Sequence, residues 1–190
     1  MLEARQREIG ELEVELERAA AHGIESRFMP PERGGAWLHE TLEKTDCGLV
    51  VLAGWLKLIP PDVVRAWRGR MINIHPALLP SFGGAGMYGR RVHDAVIASG
   101  ARITGPTVHF VDEVYDHGAI IAQWPVPVLE SDDGETLAAR VLRVEHRLLP
   151  AVVEALGRLD IVAVVATAGA AAPARTPANV YLAGYLPGED

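Results

Sequence analysis

Hydrophobic and polar positions along the chain follow strand-like and helix-like patterns in turn. Residues 48–55, GLVVLAGW, form a nearly continuous apolar run rich in Val and Leu, which is typical of a central strand buried on both faces. Other short apolar runs predict further strands. The run 120–128 is expected to lie near a sheet edge, because it contains two prolines. The predicted strands are Ile24–Met29, Gly48–Trp55, Met71–His75, Thr107–Val111, Ile120–Val128 and a late strand and loop within Ile161–Ala174.

Helical spacing of apolar residues appears between these runs. It predicts helices over Met1–His22, Ala36–Lys44, Asp62–Trp67, Val92–Ser99 and Thr136–Leu159. Pro150 is expected to kink or divide the last of them. The alternation predicts one α/β domain over residues 1–190, with a mostly parallel sheet and flanking helices. Residues 1–18 are expected to form an atypical N-terminal helix, and residues 160–190 a C-terminal strand and tail.

Composition narrows the class of protein. Lys and Arg total 18 against 25 Asp and Glu, a formal charge of −7, which disfavours a general nucleic-acid or anionic-membrane surface. The single cysteine, Cys47, has no partner for an internal disulfide and suits a reducing compartment. No apolar run approaches the roughly 20 residues of a membrane span. We therefore expect a soluble, cytoplasmic protein.

Two polar side chains share one face of the strand Met71–His75. Period-two alternation places Asn73 and His75 on the face opposite Ile72 and Ile74. Pro76 favours an extended backbone at His75, at the carboxyl end of a strand, where open α/β sheets usually bind ligands. An amide donor beside an imidazole suits an oxyanion site with proton transfer. The alternative is a hydrogen-bonded pair with only a structural role.

An acidic cluster follows the strand that ends at Val111. Residues 112–118, DEVYDHG, place carboxylates near another strand end, where Asp116 could orient His75 and raise its basicity. The alternative is a solvated acidic turn, because charge-rich turns are common.

Two further patterns are weak. Residues 84–89, GAGMYG, have the glycine spacing of dinucleotide-binding loops but follow no strand that opens into a helix, so a loop near the site explains them better. Several histidines and acids could hold a metal, namely His75, His93, His109, Asp116 and His117. None has a recognised metal-site spacing, and no metal is expected.

Three separate motifs carry a family resemblance. Residues 73–82 read NIHPALLPSF, residues 105–113 read GPTVHFVDE, and residues 116–118 read DHG. In order and spacing they resemble the phosphoribosylglycinamide formyltransferases, from about Leu49 to about Leu159, with weaker similarity back to about Arg18. The resemblance implies a formyltransferase-type, Rossmann-like fold and formyl transfer from 10-formyltetrahydrofolate to glycinamide ribonucleotide in purine biosynthesis.

The resemblance also implies roles for individual residues. Asn73 would hold the formyl oxygen, His75 would donate a proton to the tetrahedral intermediate, and Asp116 would position His75 and a relaying water. The implied folate-binding residues are Leu56, Lys57, Leu58, Ile59, Asn73, Asp112, Glu113, Val114, Tyr115 and Asp116. The implied ribonucleotide-binding residues are Leu142, Arg143, Val144 and Glu145, with Glu145 near the amine. Neither a metal nor a covalent enzyme intermediate is implied, and the assembly would be a monomer or homodimer.

The sequence departs from the family pattern at its start. The family opens with a strand and a Gly-Ser-Asn loop that cradles the substrate phosphate, and residues 1–18 instead have the pattern of a charged helix. Without that strand, the run Gly48–Trp55 is expected to be exposed unless the N-terminal helix covers it or the chain self-associates. A non-catalytic remnant that binds folate therefore stays open as an alternative. A formyltetrahydrofolate hydrolase stays open as well, because relatives of the family use a similar Asn, His and Asp for that reaction.

Overall fold

The computed structural model describes residues 17, 19–28, 34–45, 47–156, 162–167 and 178–184. The strands are β1 Glu25–Phe28, β2 Leu49–Ala53, β3 Met71–His75, β4 Ile103–Thr104, β5 Thr107–Phe110, β6 Ile120–Gln123, β7 Val126–Pro127, β8 Val162–Thr167 and β9 Ala178–Gly184. The helices are α1 Gly34–Lys44, α2 Pro61–Ala66, α3 Arg90–Ala98 and α4 Gly134–Leu156. Residues 19–21 are also helical, and most of the predicted helix Met1–His22 lies outside the described residues.

Seven strands form one mixed sheet in the order β1-β9-β8-β2-β3-β5-β6. The first five strands in that order pair in parallel, and β5 pairs antiparallel with both β3 and β6. The predicted mostly parallel α/β sheet is confirmed. β4 and β7 form a separate antiparallel pair.

The alternating side chains of β2 supply two cores on opposite faces of the sheet. Leu49, Val51 and Ala53 pack with Leu148 and Val152 of α4, among other residues. On the other face, Val50 and Leu52 pack with side chains of α1 and α2. All five β2 residues are buried, as the apolar run predicted. Helices on both faces explain why this strand has no polar side.

The C-terminal strands occupy the space beside β2. Leu49 to Ala53 pair in parallel with Val162 to Ala166 of β8, and β9 then joins β8 to β1. The expectation that residues 48–55 would be exposed unless covered by the N-terminal helix or by self-association is therefore wrong for this strand. A later segment of the same chain covers its edge.

Two sequence predictions need correction. The predicted strand Ile120–Val128 is two strands, β6 and β7, which belong to different sheets and are separated by Trp124 and Pro125. Pro125 cannot donate to a ladder, which favours the break there. The last helix is assigned continuously from Gly134 to Leu156 with Pro150 inside it, so the proline does not divide it. None of the helices in the described part of the chain is both long and apolar enough to cross a membrane.

Candidate active site

A cleft of about 850 Å³ opens at the carboxyl ends of β2 and β3. Three parts of the chain form its walls: the strand ends, the loop that leads into α3, and one face of α4. The lining residues of the strand ends include Gly54, Trp55, Leu56, Asn73, His75 and Pro76; the loop contributes Gly84 to Arg90, and α4 contributes Ala138, Leu142, Glu145 and His146. This is the place where the alternation of β3 predicted polar side chains.

His75 is fixed at the floor of the cleft by a backbone carbonyl. Its side chain is only 4% exposed, and Nε2 lies 2.9 Å from the carbonyl oxygen of Phe82. A carbonyl only accepts hydrogen bonds, so Nε2 carries the hydrogen and Nδ1 is the nitrogen that can gain or lose a proton. Burial lowers the pKa of His75, although the charge of Asp116 partly opposes that shift. The imidazole is therefore neutral at neutral pH, with Nδ1 as a base.

Asp116 lies beside the reactive nitrogen of His75. Its Oδ2 is 3.5 Å from His75 Nδ1 and accepts a hydrogen bond from the Gly84 N–H at 2.8 Å. Burial alone would raise the pKa of Asp116, but His109, His75 and the Gly84 N–H together hold it below its ordinary value. The backbone of Asp116 has a φ of 55°, which is unusual for a residue with a side chain. The carboxylate is thus charged and held against the imidazole.

Asn73 contacts a second buried imidazole. Asn73 on β3 and His109 on β5 are directly opposed in the antiparallel ladder, and Asn73 Nδ2 lies 3.2 Å from His109 Nε2. His109 Nδ1 lies 2.8 Å from the carbonyl oxygen of Phe110. The amide of Asn73 therefore reaches the cleft from a position that a neighbouring strand supports.

The loop after β3 is held by Thr107, which is fully buried. Its hydroxyl donates to the Ala77 carbonyl oxygen at 2.7 Å and accepts from the Leu79 N–H at 3.0 Å. Gln123 adds hydrogen bonds to the same hydroxyl and to the Leu79 carbonyl oxygen. Gly83 is packed so closely that a Cβ there would lie 2.5 Å from Leu79 Cδ2. These contacts set the path of the loop that brings Phe82 and Gly84 onto His75 and Asp116.

The lining residues of α4, together with His93 on α3, form a helical wall of the cleft, and its polar groups are of a different kind. Burial raises the pKa of Glu145 to about 7, and no other cause contributes to that shift. His93 on α3 is 4% exposed, and its Nδ1 is buried without a hydrogen-bond partner in the described part of the chain. Burial lowers the pKa of His93, although the charge of Asp94 partly opposes that shift. A carboxyl that titrates near neutral pH and an unsatisfied imidazole both face a ligand-sized space.

The cleft brings together only part of the predicted site. Its lining includes seven of the predicted residues, Leu56, Asn73, His75, Tyr115, Asp116, Leu142 and Glu145. The lining does not include Lys57, Leu58, Ile59, Asp112, Glu113, Val114, Arg143 and Val144. Ile59 is buried in the core around β2, and Val144 packs against the core between α3 and α4. Asp112 instead accepts a hydrogen bond from His117, and Glu113 pairs with Arg65 on α2.

Sequence reasoning missed other residues that the cleft contains. Trp55, Glu135 and His146 line it, as does the glycine-rich loop that was expected near the site; His93, which the sequence suggested only as a possible metal ligand, lines it too. The contact of His109 with Asn73 was also missed, because it depends on antiparallel pairing within a mostly parallel sheet. Period-two alternation in residues 107–110 was the available signal, but it does not identify the neighbouring strand. Among the described residues, no group of three or more His, Cys, Asp or Glu side chains is arranged to hold a metal ion.

The cleft thus contains an amide, an imidazole and a carboxylate, those of Asn73, His75 and Asp116, at the strand ends of an α/β sheet. This arrangement is typical of a protein that binds a polar ligand. The sequence model of the formyl transferase family, described as "Formyl transferase", matches residues 3–153. The chain belongs to this family.

Individual relatives agree with that assignment. A chloroplastic phosphoribosylglycinamide formyltransferase from Vigna unguiculata is 60% identical over 119 residues, which cover 63% of this chain and 38% of that protein. The crystal structure of phosphoribosylglycinamide formyltransferase from Anaplasma phagocytophilum matches with a TM-score of 0.67 and 35% identity, over 73% of this chain and 66% of that one. A formyltetrahydrofolate deformylase from Pseudomonas syringae matches with a TM-score of 0.55 and 28% identity, over 67% of this chain and 43% of that one. The chain thus spans well under half the length of the Vigna protein.

Proposed function

We propose that this chain transfers a formyl group from 10-formyltetrahydrofolate to the amine of glycinamide ribonucleotide, a step of purine biosynthesis. The observation that carries the proposal is the set of Asn73, His75 and Asp116 at one end of the cleft. Its support from relatives is the 60% identity to a protein named as this transferase and, among solved structures, 35% identity and a TM-score of 0.67 to a transferase against 28% and 0.55 to a deformylase.

The proposed reaction moves one formyl group and one proton. The acceptor amine attacks the formyl carbon, and the carbonyl oxygen becomes an oxyanion to which the Asn73 amide donates a hydrogen bond. The attacking nitrogen loses a proton, and the bond from the formyl carbon to the folate nitrogen breaks as that nitrogen gains one. His75 Nδ1 is suited to accept the first proton and donate it to the folate nitrogen, directly or through a water.

Asp116 would stabilise the imidazolium that forms during this transfer. Its charge raises the pKa of His75 against the effect of burial, and Oδ2 is 3.5 Å from Nδ1, near enough to stabilise a proton on that nitrogen directly. Phe82 holds Nε2 throughout, because its carbonyl accepts that hydrogen in both protonation states. Proton exchange is thereby confined to the nitrogen that faces Asp116.

Glu145 is proposed to contact the acceptor amine. An amine must be uncharged to attack, and a carboxylate with a pKa of about 7 can accept a hydrogen bond or a proton from it near neutral pH. Leu142, one turn earlier on the same helix face, also lines the cleft and would pack against the ribonucleotide. The other two predicted residues of this helix segment, Arg143 and Val144, are proposed to contact the ribonucleotide near the edge of the cleft.

The folate is proposed to enter along the strand ends. Leu56 and Tyr115 line the cleft, as Asp116 does, and can pack against a flat ring. The folate segment would be completed by their sequence neighbours Lys57, Leu58, Ile59, Asp112, Glu113 and Val114, with Ile59 contributing only its backbone because its side chain is buried in the core. We further propose that the chain acts as one domain, without a metal, in the cytoplasm, as a monomer or homodimer, and that it binds neither nucleic acid nor membrane.

The decisive experiment is an activity assay of the purified chain with both substrates, beside the variant His75→Ala. Formyl transfer to the ribonucleotide is expected in the parent and absent in the variant. His39→Gln on α1 serves as a matched control, because this histidine pairs with Glu43 and is not among the cleft residues. Activity in His75→Ala would contradict the mechanism.

Two other results would support the alternative functions. Release of formate without transfer to the ribonucleotide would identify a hydrolase, in which water replaces the amine. Folate binding without either reaction would identify a non-catalytic folate-binding protein.

A further inference from the structure

We propose that His109 is a positioning residue that fixes the amide of Asn73 so that one of its N–H groups points into the cleft. The effect of His109 on catalysis rests on the proposed function, but the geometry of its contact with Asn73 can be tested without any reaction. His109 is not itself among the cleft-lining residues, but it contacts Asn73, which is, and we infer that it acts through Asn73.

The contact is short, buried and set by the ladder. Asn73 and His109 are directly opposed in the antiparallel pair of β3 and β5, and their side chains meet at 3.2 Å. His109 is 2% exposed, so solvent does not compete for its ring nitrogens. A buried polar pair of this kind has few alternative partners.

The hydrogen bonds of His109 determine which way the Asn73 amide turns. Nδ1 lies 2.8 Å from the Phe110 carbonyl oxygen, which can only accept, so Nδ1 carries a hydrogen. In the neutral ring Nε2 then has a lone pair and needs a donor. Of the two ends of the Asn73 amide, the NH₂ group can supply it. The amide oxygen in the same place would put two acceptors, the oxygen and Nε2, against each other. One N–H of Asn73 is used by His109, and the other is left for a ligand.

Asp116 also lies near His109 Nε2, and His109 contributes to the lowered pKa of Asp116, but the distances favour Asn73 as the hydrogen-bond partner. Asp116 Oδ1 lies 3.7 Å from that nitrogen, beyond hydrogen-bond range, whereas Asn73 Nδ2 is at 3.2 Å. A hydrogen bond to Asp116 would require a doubly protonated His109. That state would turn the Asn73 amide over, so that its oxygen would accept from the ring.

The backbone around His109 is shaped to hold the ring in this place. The ladder between β5 and β6 shifts register between Val108 and His109, and such bulges often re-aim a side chain next to a site. Gly118 packs against the Phe110 carbonyl oxygen so closely that a Cβ there would collide with it. The carbonyl that fixes the tautomer of His109 is therefore itself confined.

The direct test is nitrogen NMR of the chain without substrates. With ¹⁵N-labelled histidine and asparagine, His109 is expected to show a protonated Nδ1 and an unprotonated Nε2. The Asn73 side-chain amide, assigned by its loss in Asn73→Ala, is expected to exchange slowly with water. A protonated Nε2 on His109 would overturn the proposal.

Kinetics then test the role in catalysis through a double-mutant cycle. His109→Phe keeps a ring but removes the acceptor, and His109→Gln restores an acceptor near the position of Nε2. We expect kcat to fall about 10- to 100-fold in His109→Phe, less than the roughly 100- to 1,000-fold loss typical of deleting an oxyanion donor, with a smaller change in KM. His109→Gln should recover part of kcat.

The Asn73→Ala background separates positioning from a structural role. If His109 acts through Asn73, adding His109→Phe to Asn73→Ala lowers kcat by less than about threefold. An equal loss in both backgrounds would show that His109 acts otherwise, and would overturn the proposal. Thr104→Val is the control, because it alters another buried polar side chain that lies outside the cleft lining. Lack of transfer activity in the parent chain would refute the proposed function, while the NMR result would still decide the geometry.

Discussion

The polar side chains proposed for the reaction, on the strand wall of the cleft, differ from those of the helical wall in whether they have partners in the free protein. On the strand wall, His75, Asp116 and Asn73 each have a hydrogen-bond or ionic partner before any ligand is present. On the helical wall, burial alone shifts the pKa of Glu145, and His93 has a buried nitrogen without a hydrogen-bond partner in the described residues. The three polar side chains proposed for the reaction thus have partners in the free protein, whereas His93 Nδ1 on the helical wall, and Trp55 Nε1 at the strand ends, have none among the described residues.

This difference indicates that the strand wall stabilises the transition state and the helical wall binds the substrate. Groups that stabilise a transition state work best when the fold already holds them in place, because no reorganisation is needed during the reaction. Groups that bind a substrate gain most when the substrate supplies a partner that the free protein lacks. We therefore expect substitutions on the strand wall to reduce kcat, and substitutions on the helical wall to act mainly on KM and stability.

The largest effect is expected for Asn73→Ala. It removes the amide donor proposed to meet the oxyanion, and the loss of one such donor typically lowers kcat about 100- to 1,000-fold. KM for the formyl donor should change much less, because the oxyanion forms only in the transition state. Steady-state kinetics with both substrates measure the two constants. A large rise in KM with kcat preserved would place Asn73 among the binding groups and break the comparison.

A smaller loss is expected for Asp116→Asn, about 10- to 100-fold in kcat, because general acid-base catalysis is weakened and not abolished. The amide oxygen of Asn can still accept from the Gly84 N–H, so the loop should stay in place. Asp116 raises the pKa of His75, so its neutralisation lowers that pKa further. His75 must be neutral to accept a proton, so the acid limb of the kcat profile should move to lower pH. An unmoved limb would contradict the pairing of Asp116 with His75.

The strand wall was also the more predictable of the two from the sequence. A strand of alternating polar and apolar residues that ends before Pro76 identified Asn73 and His75, and the following acidic cluster contained Asp116. The sequence also suggested that Asp116 could orient His75, but the other partners were not predictable, because Phe82 acts through its backbone carbonyl and His109 lies on an antiparallel neighbouring strand. The position of β8 and β9 beside β2 was missed as well, since strand order depends on contacts between distant segments.

On the helical wall, Glu145→Gln is expected to raise KM for the ribonucleotide about tenfold, the size of one charge-assisted hydrogen bond. The change in kcat should be smaller. Initial rates over a range of ribonucleotide concentrations measure both constants. Arg143→Gln is the comparison, because Arg143 is exposed and is proposed to contact the ribonucleotide only near the edge of the cleft, so a smaller effect is expected. A fall in kcat with KM unchanged would assign Glu145 to the chemical step and blur the distinction between the walls.

The same substitution has a predicted effect on stability with a definite sign. The pKa of Glu145 is raised from 4.5 to about 7 by folding. Between these values the folded state binds more protons than the unfolded state, so this carboxyl favours folding at low pH and loses that contribution as pH rises through about 7. Glu145→Gln does not titrate. Thermal unfolding should therefore show the variant gaining stability relative to the parent between pH 4 and pH 8, and a relative loss would show that the carboxylate has a partner.

The smallest effect on activity is expected for His93→Phe, which keeps an aromatic ring but removes the unpartnered nitrogen. An unsatisfied buried polar atom costs about 1–3 kcal/mol, so the free variant should be as stable as the parent or more stable by up to that amount. If a ligand supplies the missing partner, the parent should gain more stability than the variant when ribonucleotide is added. Thermal unfolding with and without the ribonucleotide measures this difference. Equal gains would show that His93 makes no contact with it, and a less stable free variant would show that His93 Nδ1 is satisfied before binding, as on the strand wall.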